Sequence, residues 1–350
     1  MAYGSLEQLV AARYIDIMAL PPDDKSGCAG LHDAVKHVYE AVVVDPGLLF
    51  KSLHTEDIYR NRFNMSSENK PELYGLMKRI FGAFDGFFIS FREMLRIADP
   101  DGENLLVPKA LKLKKSHLKL LEAIGMPCSA GKTEYTVAVC GYADELESWK
   151  RIANDDAISD FMFARGAYGK QAEYVHDVFR RGLGNDGAFD KLIAYLRGKG
   201  FEMGIMRGDE LILDYSIDYG KKPSPLKAGW AEREHSGIEC KYYPVIKNAF
   251  AITLRIPKIT ELLGMFDSMP DAVKAFVVSV NKKCDNCRYC VQTDKFGTRP
   301  LAFVAVTYEG NKYALCPRFP GFAFTWDALE DHTVDSMIAY LEFIDGAFGK

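Results

Sequence analysis

Apolar residues recur at helical spacing through most of the first 125 residues. Leu31, Ala34, Val35, Val38 and Val42 fall three and four apart, so they form one stripe of a helix over 31–42. A longer helix is predicted from about Pro71 to Ile97, where Leu73, Leu76, Met77, Ile80 and Phe81 run on into Phe84, Phe87, Phe88, Phe91, Met94 and Leu95. The segment from Asn104 carries a third helix after Pro108, with Leu113, Leu120 and Ile124 on one side. Gly125-Met126-Pro127 ends it, because Gly accepts the terminal turn and Pro cannot continue the ladder.

The period then changes. Glu134–Cys140 alternates as a strand does. Helical pieces follow at 143–153, 157–165, 170–181 and 189–196. Phe201–Met206 and Glu210–Tyr215 read as two strands split by Arg207-Gly208-Asp209, a hairpin signal. The polar stretch 218–240, with Gly220, Pro223, Pro225 and Gly229, reads as a long loop. Phe250–Ile256 is the next strand, followed by a helix after Pro257 and a turn or short helix at Pro270–Lys274. Phe276–Val280 reads as a strand leading into a cysteine cluster. Leu301–Tyr308 and Tyr313–Cys316 flank a turn at Glu309–Lys312, and a last helix spans about Thr325 to Ile344.

The expected fold is therefore α+β. A mainly helical domain covers 1–125 and an α+β domain covers 126–350. The halves of the second domain, 126–217 and 241–324, each follow a β-α-β-β order, which predicts two units pairing into one sheet. Such a sheet leaves a cleft beside the 218–240 loop, with Trp230, His235, Tyr242, Tyr243 and Tyr308 as candidate lining residues for a small-molecule ligand.

Composition narrows the classes. The 350 residues carry 44 Lys+Arg against 48 Asp+Glu, a formal charge of -4, which argues against a surface that grips nucleic acid all over. No apolar run is long enough to span a membrane, and MAYGSLEQLV has neither basic leader nor apolar core. The expectation is a cytoplasmic protein with no membrane association, whose partner is a small molecule or another protein.

The chemistry concentrates in the cysteines. Four of the 8 are scattered, at Cys28, Cys128, Cys140 and Cys240. The others are Cys284, Cys287, Cys290 and Cys316. C-x2-C spacing lets a short loop turn two sulfurs onto one point, and a hairpin could return Cys316 to the loop, giving the four thiolates of a closed zinc site. Lys282, Lys283, Arg288 and Lys295 would offset its negative charge. C-x2-C-x2-C followed by Cys316-Pro317 also resembles part of the bacterial ferredoxin ligand pattern, and this resemblance implies an iron–sulfur cluster on the same residues. The spacing departs from that pattern, since 25 residues separate Cys290 from Cys316. A redox dithiol and plain reduced cysteines are the remaining readings.

Other signals have ordinary readings. Ser129-Ala-Gly131-Lys132-Thr133 is too short for a phosphate-binding loop and has a helix before it and a strand after it. Lys109, Lys112, Lys114, Lys115 and Lys119 read as a solvated helix face rather than a nucleic-acid surface. The phenylalanines of 81–91 read as core. His235 lies five residues before Cys240, the one pair offering a thiol-dependent enzyme. Asp327, Glu330, Asp331 and Asp335 read as a solvated acidic face.

Overall fold

A computed structural model describes residues 3–22, 28–55, 70–139, 141–207, 215–220, 237–243, 249–256, 258–284, 303–317 and 324–348. Backbone proximity divides the chain into two units: Met1–Val178 with Pro244–Ile246, and Phe179–Tyr243 with Lys247–Lys350.

The first unit is built on helices α1 (Leu6–Asp16), α2 (Ala29–Val44) and α3 (Lys70–Ile97). The apolar stripe read from 31–42 is the buried face of α2, with Leu31, Val35, Val38 and Val42 at 0% exposure. Aromatic rings join the three helices. Tyr14 of α1 lies 5.1 Å from Tyr39 of α2 and 5.4 Å from Phe84 of α3, and Phe88 lies 5.2 Å from Tyr39. Phe84, Phe87, Phe88 and Phe91 of α3 are thus core, with Phe81 half-buried, and offset or edge-on pairs of this kind add to what their burial contributes.

After α3 the chain forms a sheet of which the alternating pattern predicts only the strand at 134–140. Strands β1 (Asp99–Asp101) and β2 (Asn104–Pro108) form a hairpin, and β3 (Cys128–Ala130) and β4 (Glu134–Ala138) another, in the order β1-β2-β4-β3. The helix expected after Pro108 is reduced to α4 (Lys115–Ala123), because Lys109–Leu111 forms a single tight turn that Lys112, in the left-handed region, breaks off. Helices α5 (Leu146–Asn154), α6 (Asp160–Phe163) and α7 (Gln171–Gly182) follow at the predicted places. Arg92 of α3, buried to 4% exposure, holds this stretch. It donates from Nε to the Ala153 carbonyl at 3.0 Å, from Nη1 to Asp160 Oδ1 at 2.8 Å and from Nη2 to the Asp155 carbonyl at 2.8 Å.

In the second unit, α8 (Asp186–Gly198) precedes an antiparallel five-stranded sheet. Its strands are β5 (Glu202–Arg207), β6 (Tyr215–Gly220), β7 (Gly237–Tyr243), β8 (Ala249–Arg255) and β11 (Thr325–Trp326), in the order β11-β8-β7-β6-β5. Two parts of the expected 218–240 loop are strands: 218–220 lies in β6 and 237–240 in β7, paired from Ile217↔Cys240 to Gly220↔Gly237. Residues 221–236 lie outside the described residues. Gly220, one of the residues that suggested a loop, ends β6, where pairing with Gly237 overrides its weak strand preference.

Helices α9 (Ile259–Gly264) and α10 (Asp271–Val280) come next. The expected strand at Phe276–Val280 is helix. The β-branched run suggests a strand, yet Val273, Phe276 and Val277 recur at i, i+3 and i+4 and are buried, and Pro270 with Asp271 starts the helix. Strands β9 (Val304–Tyr308) and β10 (Asn311–Leu315) make a separate two-stranded sheet, and α11 (Asp331–Phe348) closes the chain, starting six residues later than expected because 325–326 pairs with β8. The strands expected to pair two β-α-β-β halves are therefore spread over three sheets. The α+β class holds, with N-terminal helices and several sheets.

Candidate functional site

The β9–β10 hairpin positions Cys316. Its turn residues Glu309 and Gly310 both have positive φ, 49° and 76°, the twist that suits a two-residue hairpin connection. That turn sets the register from Asn311↔Tyr308 to Leu315↔Val304, and Cys316 follows the last pair.

The other approach comes from α10, which ends at Asn281 as its N–H bonds the Val277 carbonyl at 2.9 Å. The chain turns extended, and Lys283 forms an antiparallel bridge with Leu315. Two hydrogen bonds frame this bridge: Cys284 N–H to the Ala314 carbonyl and Cys316 N–H to the Lys282 carbonyl, both at 2.8 Å. Residues alternate between faces across such a pair, so Cys284 and Cys316 share one face with Lys282, while Lys283 and Leu315 take the other. Lys283 Nζ accordingly lies over the Tyr313 ring, 5.5 Å from its centroid. Diagonal neighbours of this kind lie about 7–8 Å apart. Cys284 is half-buried and Cys316 buried. The structure thus brings together the first and last of the four sequence-predicted cysteines. Cys287 and Cys290 lie outside the described residues, as do Arg288 and Lys295.

The remaining cysteines sit apart. Cys28 is buried at the start of α2, and Cys128 is half-buried in β3, where burial pushes its thiol up. Cys140 lies outside the described residues. Cys240 is at 0% exposure on the apolar face of the large sheet, between Ile238 and Tyr242 and paired with Ile252, a packing position. His235, its expected partner, lies outside the described residues, as does Trp230.

Three of the expected cleft residues, Tyr242, Tyr243 and Tyr308, are among the described residues. Tyr242 is buried and stacks on Phe250 at 4.3 Å, which makes it core. Tyr243 occupies the last register position of β7, opposite Ala249. Tyr308, in the two-stranded sheet, meets Phe266 edge-on at 6.4 Å.

Sequence reasoning missed one cluster. On the face of β7 opposite Tyr242, Glu239 is at 0% exposure, with Lys241 Nζ 2.8 Å from Oε1 and Arg255 of β8 paired through its guanidinium to Oε2. Asp218 sits opposite Glu239 in the register of β6. Burial works to raise the Glu239 carboxyl, but Arg255 and Lys241 outweigh it and hold it below the usual carboxylate range. A carboxylate so neutralised is a poor proton acceptor at neutral pH, so the cluster joins strands rather than serving as a general base. Its signal was the alternation Ile238-Glu239-Cys240-Lys241-Tyr242, which the glycines around it obscured.

Among the described residues no group of three or more His, Cys, Asp or Glu side chains is arranged to hold a metal, and no helix is long and apolar enough to cross a membrane. No protein-family model, curated protein or solved structure matches the chain.

Proposed function

We propose that the chain is a small-molecule-binding or regulatory protein whose segment 284–316 is held by a structural zinc ion on the thiolates of Cys284, Cys287, Cys290 and Cys316. The observation that supports this reading is the Lys283–Leu315 bridge, which puts Cys284 and Cys316 on one face although 31 residues separate them in sequence. Their diagonal relation suits a metal better than a direct disulfide. A disulfide needs Cα atoms within about 7 Å, whereas a tetrahedral zinc with bonds of about 2.3 Å accepts sulfurs nearly 4 Å apart. Cys287 and Cys290 repeat the two-residue spacing that returns a loop to the same point. Lys282, on the cysteine face, offsets the charge of four thiolates.

Such a site is structural because four protein ligands leave no open position for substrate. Its work is to close the 284–316 segment, since metal binding then supplies local folding free energy. Elemental analysis of protein purified without oxygen tests it. One zinc per chain is expected, lost in Cys287→Ala and Cys316→Ser and kept in Cys28→Ser. Iron with visible absorption would replace zinc by the cluster that the ferredoxin-like spacing suggests. Metal-free protein that melts identically with and without added zinc overturns both.

A further inference from the structure

Two sequence features that each look ordinary alone are joined in the first unit. The β3–β4 hairpin turns at Lys132-Thr133, closed by Gly131 N–H donating to the Glu134 carbonyl at 2.8 Å. Pairing of Pro108 with Glu134 carries the chain after β2 to that tip, where Lys109 N–H donates to the Thr133 carbonyl at 3.0 Å. The lysine stretch therefore begins beside Lys132. Lys109 lies 5.9 Å from the centroid of Tyr135, Lys112 turns the chain with φ 47°, and Lys115 and Lys119 follow one helical turn apart on α4.

The charges on this surface are unbalanced. Lys112, Lys115, Lys119 and Lys132 are exposed and Lys109 half-exposed. None of the five has a carboxylate within ion-pair distance among the described residues, whereas Lys36, Lys150 and Lys170 of the same unit pair with Glu40, Asp99 and Glu173. Glu122 and Glu134 are the acids closest in sequence; Asp99, opposite Leu106, faces Lys150 at 3.9 Å, and Asp101 and Glu103 belong to the turn end of the β1–β2 hairpin. Lys114 turns away, its Nζ lying near Gly86 of α3.

We propose that this surface binds the phosphodiester backbone of a nucleic acid without reading its sequence. Among the described residues, the large exposed hydrophobic side chains of the first unit, Leu20, Val44, Leu53 and Ile89, all belong to other segments. A protein partner would need an apolar anchor at the centre of its interface, and a membrane would take an inserted apolar side chain; this surface offers neither. Unpaired lysines are sufficient for phosphates, because the affinity comes from released counterions. The lysines act as point charges without the planar fork of arginine, and Tyr135 is one ring where base recognition uses several, so the contact is to backbone and not to base edges. The chain's net charge of -4 keeps this local.

Fluorescence anisotropy with a labelled mixed-sequence DNA duplex and the matching single strand, as a function of salt, tests the proposal on the full chain. The expected result is binding at low salt with a log–log slope of about −4, from about −0.9 per duplex phosphate contact. The variant Lys115→Ala/Lys119→Ala/Lys132→Ala should flatten that slope by about 2.7 and weaken low-salt binding at least about tenfold, with unchanged melting temperature. Lys170→Ala should change neither. Stronger binding of duplex or of single strand assigns the source of the phosphates. No salt-dependent binding to either, a triple variant that behaves as Lys170→Ala does, or binding only to phosphatidylserine vesicles overturns it.

Discussion

Lowering the pH should loosen the first unit through one side chain. His117 of α4 is at 3% exposure, and its ring stands edge-on to Phe87 of α3 at 5.4 Å. Its Nδ1 is buried without a hydrogen bond. Burial, with the Lys114 charge adding to it, pushes its pKa from 6.5 down to about 4. Above 6.5 the ring is neutral in the folded and unfolded chains alike, and no penalty arises. As pH falls below 6.5 the unfolded chain takes up a proton that the folded one refuses, so stability is lost progressively until about pH 4, where the folded form also protonates. At 1.36 kcal/mol per pKa unit the full loss is about 3.4 kcal/mol, and solvent screening brings the working figure to about 2 kcal/mol.

His117→Leu removes the proton site while keeping an apolar contact with Phe87. Near neutral pH the variant should match the parent within about 1 kcal/mol, because it loses a ring contact and also loses an unsatisfied buried nitrogen. Near pH 4.5 it should be the more stable of the two by about 2 kcal/mol. Urea-unfolding midpoints of both proteins across this range give the difference, in which every other titrating group cancels. A difference that stays constant with pH, or a ring that titrates near 6.5 by NMR in the folded protein, refutes the reasoning.

Two further substitutions probe charges held by the fold. Arg92→Met keeps the side-chain bulk but removes three hydrogen bonds, leaving the Ala153 carbonyl to Arg96 and the Asp155 carbonyl to the Ile158 N–H; the first unit should lose about 2–4 kcal/mol, read from chemical denaturation. Unchanged stability would mean that solvent replaces these bonds. Glu239→Gln leaves Lys241 and Arg255 facing a neutral group and should destabilise the second unit by about 1–3 kcal/mol at neutral pH. Because its neighbours hold this carboxyl below its ordinary range, its stabilisation is present above the ordinary carboxylate range and is lost as pH falls through the lowered folded value. The gap between parent and variant should therefore close in acid; a gap that widens would show that the ion pairs do not stabilise the carboxylate.

The readable parts of this chain are those with local causes. The helix over 31–42 and the long helix ending at Ile97 followed from apolar spacing alone, since one face of each had to be buried whatever lay opposite. The hairpin at 304–315 followed from its turn residues. Phe276–Val280 reads as a strand because Val277, Val278 and Val280 favour one, while the burial stripe favours a helix, and the burial stripe won.

The site divides the same way. Four cysteines at metal-ligand spacing, a lysine-rich 109–119 and the α+β class were legible before folding, because composition and short-range period carry that information. Folding alone makes Cys284 and Cys316 share a face, Glu239 meet Arg255, Tyr242 join the core and Lys132 join the lysine stretch. Each of these depends on the register of a pairing between distant segments. Shifting a register by one residue turns every side chain to the opposite face, and that choice is made between strands, not within one.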